Sequence, residues 1–399
     1  NSDHEKKFFN VNVNSGASLE LSRGIMCRYG TFTVDGDLQI NDNGYVQSVG
    51  VSPTYGNSST LTYNYTGVFG RSHEWTSTSN PGYPNDVSVT QGSVNLGSGA
   101  TSTARQIAGD LSISSGAGFY MDYGSDDMTA ALTINGNVTN SGTLSLSGSV
   151  GGDLVLKGDF AQNGTFNHNS RLFTLSGSSD QAISTTGSSV GFGFLTINNT
   201  SNDIDPADDI TVANDFTITA GELDLSTHTA TVTGASDVNG TLTVSSGTFD
   251  ANRTFDATGG NVTFSGAGRL ELGGTVTSLG TFTGGGSSTV SYNGTSTQTI
   301  DDFGAKSGPY DNLDLDGGGQ KDLSGNTTVD GVLSWSADCD MTTNGHTLTI
   351  KQSPTGYDDN RVITGGSSTT VSVAYSSSST SECFIPVGID GSVRDISIT

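Results

Sequence analysis

Carboxylates are the groups in this 399-residue chain best placed to do chemistry. Asp203, Asp205, Asp208 and Asp209 gather around Pro206, and Asp301 and Asp302 precede a stretch carrying Lys306. Two carboxyls about 5–9 Å apart can hydrolyse a glycosidic bond. A lyase built on a β-helix also needs Lys or Arg to stabilise enolate-like charge. Between Arg171 and Lys306 the only basic residues are Arg253 and Arg269. Solvated acidic loops, or oxygen ligands for a hard cation, fit these residues better. Calcium takes about six to eight oxygens from Asp, Asn and carbonyl groups. The candidate calcium ligands are Asp203 and Asp205, then Asp314 and Asp316 before Gly317, then Asp358 and Asp359 before Asn360. None of these completes a calcium loop closed by Glu, or the nonapeptide calcium repeat of solenoids.

The remaining chemistry is sparse. His4, His73, His168, His228 and His346 are isolated, with no zinc-ligand spacing. Gly284-Gly285-Gly286 and Gly317-Gly318-Gly319 lack the Lys and helix of a phosphate loop and read as turns. Cys27, Cys339 and Cys383 have no metal spacing; either Cys339 pairs with Cys383 or all three are buried thiols. Tyr55, Tyr63, Trp75 and Tyr83 fall in the densest aromatic stretch. They read either as a local core that glues an insertion to the main body or as a glycan-stacking patch.

Charge and composition narrow the class. Asp and Glu number 40 against 15 Lys and Arg, so the net charge is 15 − 40 = −25. Nucleic acid and anionic membrane surfaces would be repelled. No run approaches the roughly 18 apolar residues of a membrane span. Apolar residues are 32% and charged residues 14%, against about 45–50% and about 25% in an average domain. That double deficit excludes helical bundles, coiled coils and doubly wound α/β enzymes. With 56 Gly and only 7 Pro, the chain must bury a thin core economically.

Repeats supply the elements. The phrase Gly, then Thr, Asp or Glu, then alternating apolar residues recurs, as in Gly109-Asp110-Leu111-Ser112-Ile113, Gly142-Thr143-Leu144-Ser145-Leu146 and Gly221-Glu222-Leu223-Asp224-Leu225. Each copy reads as a short strand with apolar side chains on one face. Asn135-Gly136, Asn163-Gly164, Asn239-Gly240 and Asn293-Gly294 read as turns with positive φ. A sandwich wants longer strands and a richer core, whereas a solenoid needs few inward side chains per coil. The expectation is therefore an all-β parallel β-helix of about 20-residue coils, about 20 of them in a rod on the order of 90 Å. Its expected segments are 1–66 (N-terminal strand and first coils), 67–100 (aromatic insertion), 101–355 (main solenoid) and 356–399 (terminal β segment).

Several phrases carry a family resemblance. Pro53-Thr54-Tyr55-Gly56-Asn57-Ser58-Ser59-Thr60, Gly70-Arg71-Ser72-His73-Glu74-Trp75 and Gly82-Tyr83-Pro84-Asn85-Asp86-Val87 come in that order. Phe173-Thr174-Leu175-Ser176-Gly177 with Asp180-Gln181-Ala182-Ile183 is echoed by Ser291-Tyr292-Asn293-Gly294 with Gln298-Thr299-Ile300. Phe384-Ile385-Pro386-Val387-Gly388 follows near the end. Together they resemble the large secreted β-solenoid surface proteins, often adhesin-like, of Bacteroidota and related bacteria. The resemblance implies a secreted, cell-surface location. It does not specify a molecular activity.

The ends complete the reading. The chain shows no signal peptide and no initiator Met, so it reads as processed or excised from something longer. Phe8, Phe9, Val11 and Val13 alternate in an N-terminal strand, and Ile396 and Ile398 lie in a C-terminal one. Open strand edges template further strands. The expected function is a non-catalytic extracellular structural or adhesive solenoid. Its expected partners are its own copies, head to tail, or other surface proteins and polysaccharide. Calcium is the one cofactor considered. The alternative is a carbohydrate-active or carbohydrate-binding right-handed β-helix.

Overall fold

The computed structural model describes residues 6–76, 82–303, 308–358, 360–366, 370–375, 385–388 and 395–398. Among them there is no helix, and strands pair in parallel as a β-solenoid of about 16 turns at roughly 21-residue spacing. No helix is therefore long and apolar enough to cross a membrane. The chain divides into two compact units, Asn1–Asn202 and Asp203–Thr399.

The first unit begins with β1 (Lys6–Phe8), β2 (Val11–Val13), β3 (Ser18–Leu21), β4 (Gly24–Cys27), β5 (Phe32–Val34) and β6 (Asp37–Asn41). Next come β7 (Tyr45–Val46), β8 (Thr54–Tyr55), β9 (Thr60–Gly70) and β10 (Asp86–Asn95). In-register stacking places like on like. Leu38, Leu61, Val87, Leu111, Val138, Phe160 and Ile183 pair in sequence as one inward column, each buried. From residue 60 onward its members lie 22 to 27 residues apart, so coils here are longer than the repeat phrase suggests. That is one reason for about 16 turns instead of about 20. Strand β10 stacks on β9 as an ordinary coil although it lies inside 67–100.

The second unit has the same logic with tighter coils. Ile210, Ala230, Phe249, Leu270, Val290, Leu313 and Leu333 stack 19 to 23 residues apart, all buried. In this way 32% apolar residues suffice: each inward side chain is covered above and below by its counterparts.

Two sequence features acquire different explanations in three dimensions. Gly136, Gly164, Gly240 and Gly294 do not have positive φ. A Cβ on Gly164 would lie 2.1 Å from the carbonyl oxygen of Gly142, and one on Gly240 would lie 2.4 Å from that of Gly221. Glycine is required there because neighbouring coils pass too closely, a constraint of stacking and not of turn conformation. The Asp of the Gly-Asp phrase also has a structural use. Asp110 N–H donates to Asp86 Oδ1 at 2.8 Å, Asn137 N–H to Asp110 Oδ1 at 2.7 Å, and Asp159 N–H to Asn137 Oδ1 at 2.7 Å. Ala182 N–H donates to Asp159 Oδ1 at 2.9 Å. Corner amides that the ladder cannot satisfy are thus accepted by the side chain one coil below.

The echoed Gln motif is a third such device. Gln181 Oε1 accepts from Gly177 N–H at 2.7 Å and its Nε2 donates to Gly158 O at 2.6 Å. Gln298 does the same with Gly294 N–H at 2.8 Å and with Leu272 O and Gly274 O, both at 2.7 Å. Each buried amide clips a corner to the previous coil.

Candidate binding surfaces

Residues 71–76, which follow β9, are anchored by side chains of the coil core. Tyr63 sits in an inward column between Ile40 and Val89, so its ring is buried and its hydroxyl points along the interior. That hydroxyl donates to Glu74 Oε1 at 3.0 Å, and Ser72 N–H donates to the same oxygen at 2.8 Å. Tyr55 Oη donates to the Glu74 carbonyl at 2.5 Å. Glu74 and Trp75 are fully buried. Burial pushes the Glu74 carboxyl upward, and burial followed by the Glu74 charge pushes the Tyr55 and Tyr63 hydroxyls well up.

Tyr55, Tyr63, Trp75 and Tyr83 therefore form the local core and not a glycan-stacking patch. A sugar cannot reach faces already covered by protein.

Two arginines complete the cluster. Arg71 donates from Nε to Leu96 O at 3.0 Å, from Nη1 to Ser72 O at 3.2 Å and Trp75 O at 2.9 Å, and from Nη2 to Ser98 O at 2.6 Å. Arg105, at the start of the coil strand Arg105–Ile107, donates from Nη1 to Trp75 O at 3.3 Å and Thr76 O at 2.9 Å. Its buried Nε has no acceptor. The two guanidiniums are 6% and 4% exposed, and both line a cavity of about 390 Å³ with Ser72, His73, Thr76 and Ser98. Burial, then repulsion from Arg71, lowers the Arg105 pKa to about 10 against the pull of Glu74. The aggregate charge of −25 hid this local positive site from sequence reasoning.

No family model, curated protein or solved structure matches this chain. Function must therefore be argued from geometry.

The N-terminal edge is the second surface. Among the described residues, β1 pairs only with β4, β2 only with β5 and β3 only with β6. Val11 N–H donates to Thr31 O, and Val13 O accepts from Asp35 N–H, both toward β5. In a parallel ladder the amide of Asn12 between them then faces the open side. Val11 and Val13 are buried inward, so their side chains are core and not available for assembly. Phe8 and Phe9 are 44% and 67% exposed. At the other end, Ile396 pairs with Val371 and Ile398 with Val373; their side chains lie outside the described residues.

The acidic positions are dispersed and mostly employed. Asp314 is buried, and its carboxylate accepts from Arg269 at 2.7 Å and from Ser291, Ser334 and Ser336 at 2.8–3.1 Å. It is already neutralised, which removes it from the candidate calcium ligands. Asp316 Oδ1 accepts from Gly317 N–H at 2.7 Å. Asp358 pairs with Arg361 at 3.6 Å, and Asp359 lies outside the described residues. Asp203 and Asp205 stand near Glu222 and add to the burial that raises its pKa. Among the described residues, no group of three or more His, Cys, Asp or Glu side chains is arranged to hold a metal ion. Asp209 Oδ1 accepts from Thr229 N–H, Asp301 accepts from Leu279 and Phe303 N–H, and Lys306 lies outside the described residues. Cys27 and Cys339 are free buried thiols, that of Cys339 pushed up to about 11 by burial; Cys383 lies outside the described residues.

Proposed function

We propose that this chain is a non-catalytic, extracellular structural or adhesive solenoid that adds copies of itself end to end. The supporting observation is that β1 and β2 pair on one side only among the described residues, with the Asn12 amide on the other side and Phe8 and Phe9 exposed. Coil-on-coil parallel addition is what the chain does internally at every step, so a further copy finds the geometry already built. Charge favours the same occupant. Lys6, Lys7, Arg23 and Arg28 fall in the first 28 residues with only Asp3, Glu5 and Glu20, in a chain of net charge −25. The last thirty residues carry Glu382, Asp390 and Asp395 against Arg394, so that end of a second copy is attracted there. The contact is heterologous and so propagates into a filament. The acidic, Ser/Thr/Asn-rich exterior and the resemblance to secreted surface solenoids support a cell-surface location.

The test is a variant that blunts the edge without touching the ladder to β5. Asn12→Pro removes the outward donor, and Phe9→Glu places a charge beside it. Electron microscopy and light scattering should detect filaments for the unaltered protein and monomers for the double variant. Filaments from the variant, or monomers from the unaltered protein at high concentration, refute self-addition.

A further inference from the structure

We propose that the cavity between Arg71 and Arg105 binds the carboxylate of an acidic sugar unit. This goes beyond the fibre reading and does not depend on it, because the cavity lies at residues 71–76 and Arg105 and not at β1 and β2. Arg105 is 4% exposed, lines the cavity and keeps its Nε without an acceptor. The carbonyls of Trp75 and Thr76 fix its Nη1. Nε is enclosed, so the donor left for a ligand is Nη2, which is neither enclosed nor hydrogen-bonded and can donate to a carboxylate oxygen. Arg71 stands beside it, locked by four carbonyls. Two desolvated guanidiniums face a single buried carboxylate, Glu74, whose Oε2 is itself without a partner. A buried cation without full compensation is costly, and an entering anion relieves that cost.

The walls select the rest of the ligand. About 390 Å³ is far more than a carboxylate fills and lies within the usual range for small-molecule sites, roughly 300–1,000 Å³. The lining is Gly70, Ser72, His73, Thr76, Ser98, Gly99 and Ala100 besides the arginines, too polar for a fatty acyl chain. Hydroxyls of Ser and Thr and the surrounding carbonyls suit a polyol. Those carbonyls, and the net charge of −25, oppose a dianionic phosphate more than a monoanion. A hexuronate combines one carboxylate with several hydroxyls.

Calorimetric titration of the whole chain with glucuronate, glucose and sodium sulfate at matched ionic strength tests this. Glucuronate should saturate one site, glucose should give no binding heat over the same range, and sulfate should bind at least ten-fold more weakly. Arg105→Gln should weaken glucuronate at least ten-fold, and Arg253→Gln, an exposed arginine of the other unit, should leave it unchanged. Equal responses to glucuronate and glucose, equal binding of sulfate, or equal losses in the two variants overturn the proposal. If Arg105→Gln does not fold, the Arg105 Nε–H resonance of the unaltered protein decides. It should shift saturably with glucuronate, and a stationary resonance overturns the assignment.

Discussion

Gln298 offers the sharpest test of how the corners are held. Its side chain makes three bonds, one with Gly294 N–H of its own corner and two with Leu272 O and Gly274 O of the preceding coil. A fourth comes from Lys321, fully buried, whose Nζ donates to Gln298 Oε1 and Gly294 O, both at 2.8 Å. Burial lowers the Lys321 pKa, as expected for an ammonium held largely by neutral acceptors. Neutral bonds contribute about 1 kcal/mol each and a charged one about 1.5–3 kcal/mol. Gln298→Ala should therefore cost about 4.5–6 kcal/mol. Gln181→Ala removes the same clip, with the neutral Asn199 Nδ2 at 3.3 Å as fourth donor in place of the ammonium, and should cost about 3–4 kcal/mol. The difference isolates the stranded charge. Lys321→Met in the Gln298→Ala background should then recover about 2 kcal/mol, because it removes a buried cation that has lost an acceptor. Urea unfolding followed by fluorescence suits both, since Trp335 is buried in the second unit and Trp75 in the first. Equal costs for the two Gln variants, or further destabilisation on adding Lys321→Met, would refute the reasoning.

Leu144 is fully buried, so Leu144→Asp should cost several kcal/mol; an unchanged melting midpoint would refute its inward orientation. Burial alone would raise the Asp314 carboxyl, but bonds from Arg269, Ser336 and Ser334 hold it below the usual range. Its stabilisation is complete above the unfolded value near 3.9 and is lost as pH falls through the lower folded value. Asp314→Asn should therefore destabilise at pH 7 by about 1–3 kcal/mol and by progressively less as pH falls below about 3.9; a pH-independent loss would contradict this. Glu74 has the opposite sign, raised by burial, so Glu74→Gln should raise the melting midpoint at pH 8 and converge with the unaltered protein at low pH.

The solenoid was legible in the residues because its period is local. An apolar residue at i and i+2 after Gly-Asp or Gly-Thr defines a strand whatever lies elsewhere, and Leu111, Leu154, Leu223 and Leu242 are buried as that pattern requires. Phe166, in the same phrase, is only half-buried, within van der Waals range of the rings of Phe160, Phe173 and Phe192. Charge and composition likewise excluded helical and α/β classes, since these depend only on sums over the chain.

What depended on stacking was decided only in three dimensions. Gly164 and Gly240 are glycines because of a carbonyl one coil away, a reason no dipeptide records. Asp110 and Asp159 accept amides of the following coil, a use visible only once the coils are stacked. Tyr55, Tyr63 and Trp75 carry the same letters whether they face water or the interior, and only their burial in the fold makes them core. Arg71 and Arg105 are far apart in a strongly acidic sequence. They line one cavity because residues 71–76 meet the coil strand that begins at Arg105, and long-range proximity of that kind has no local signature.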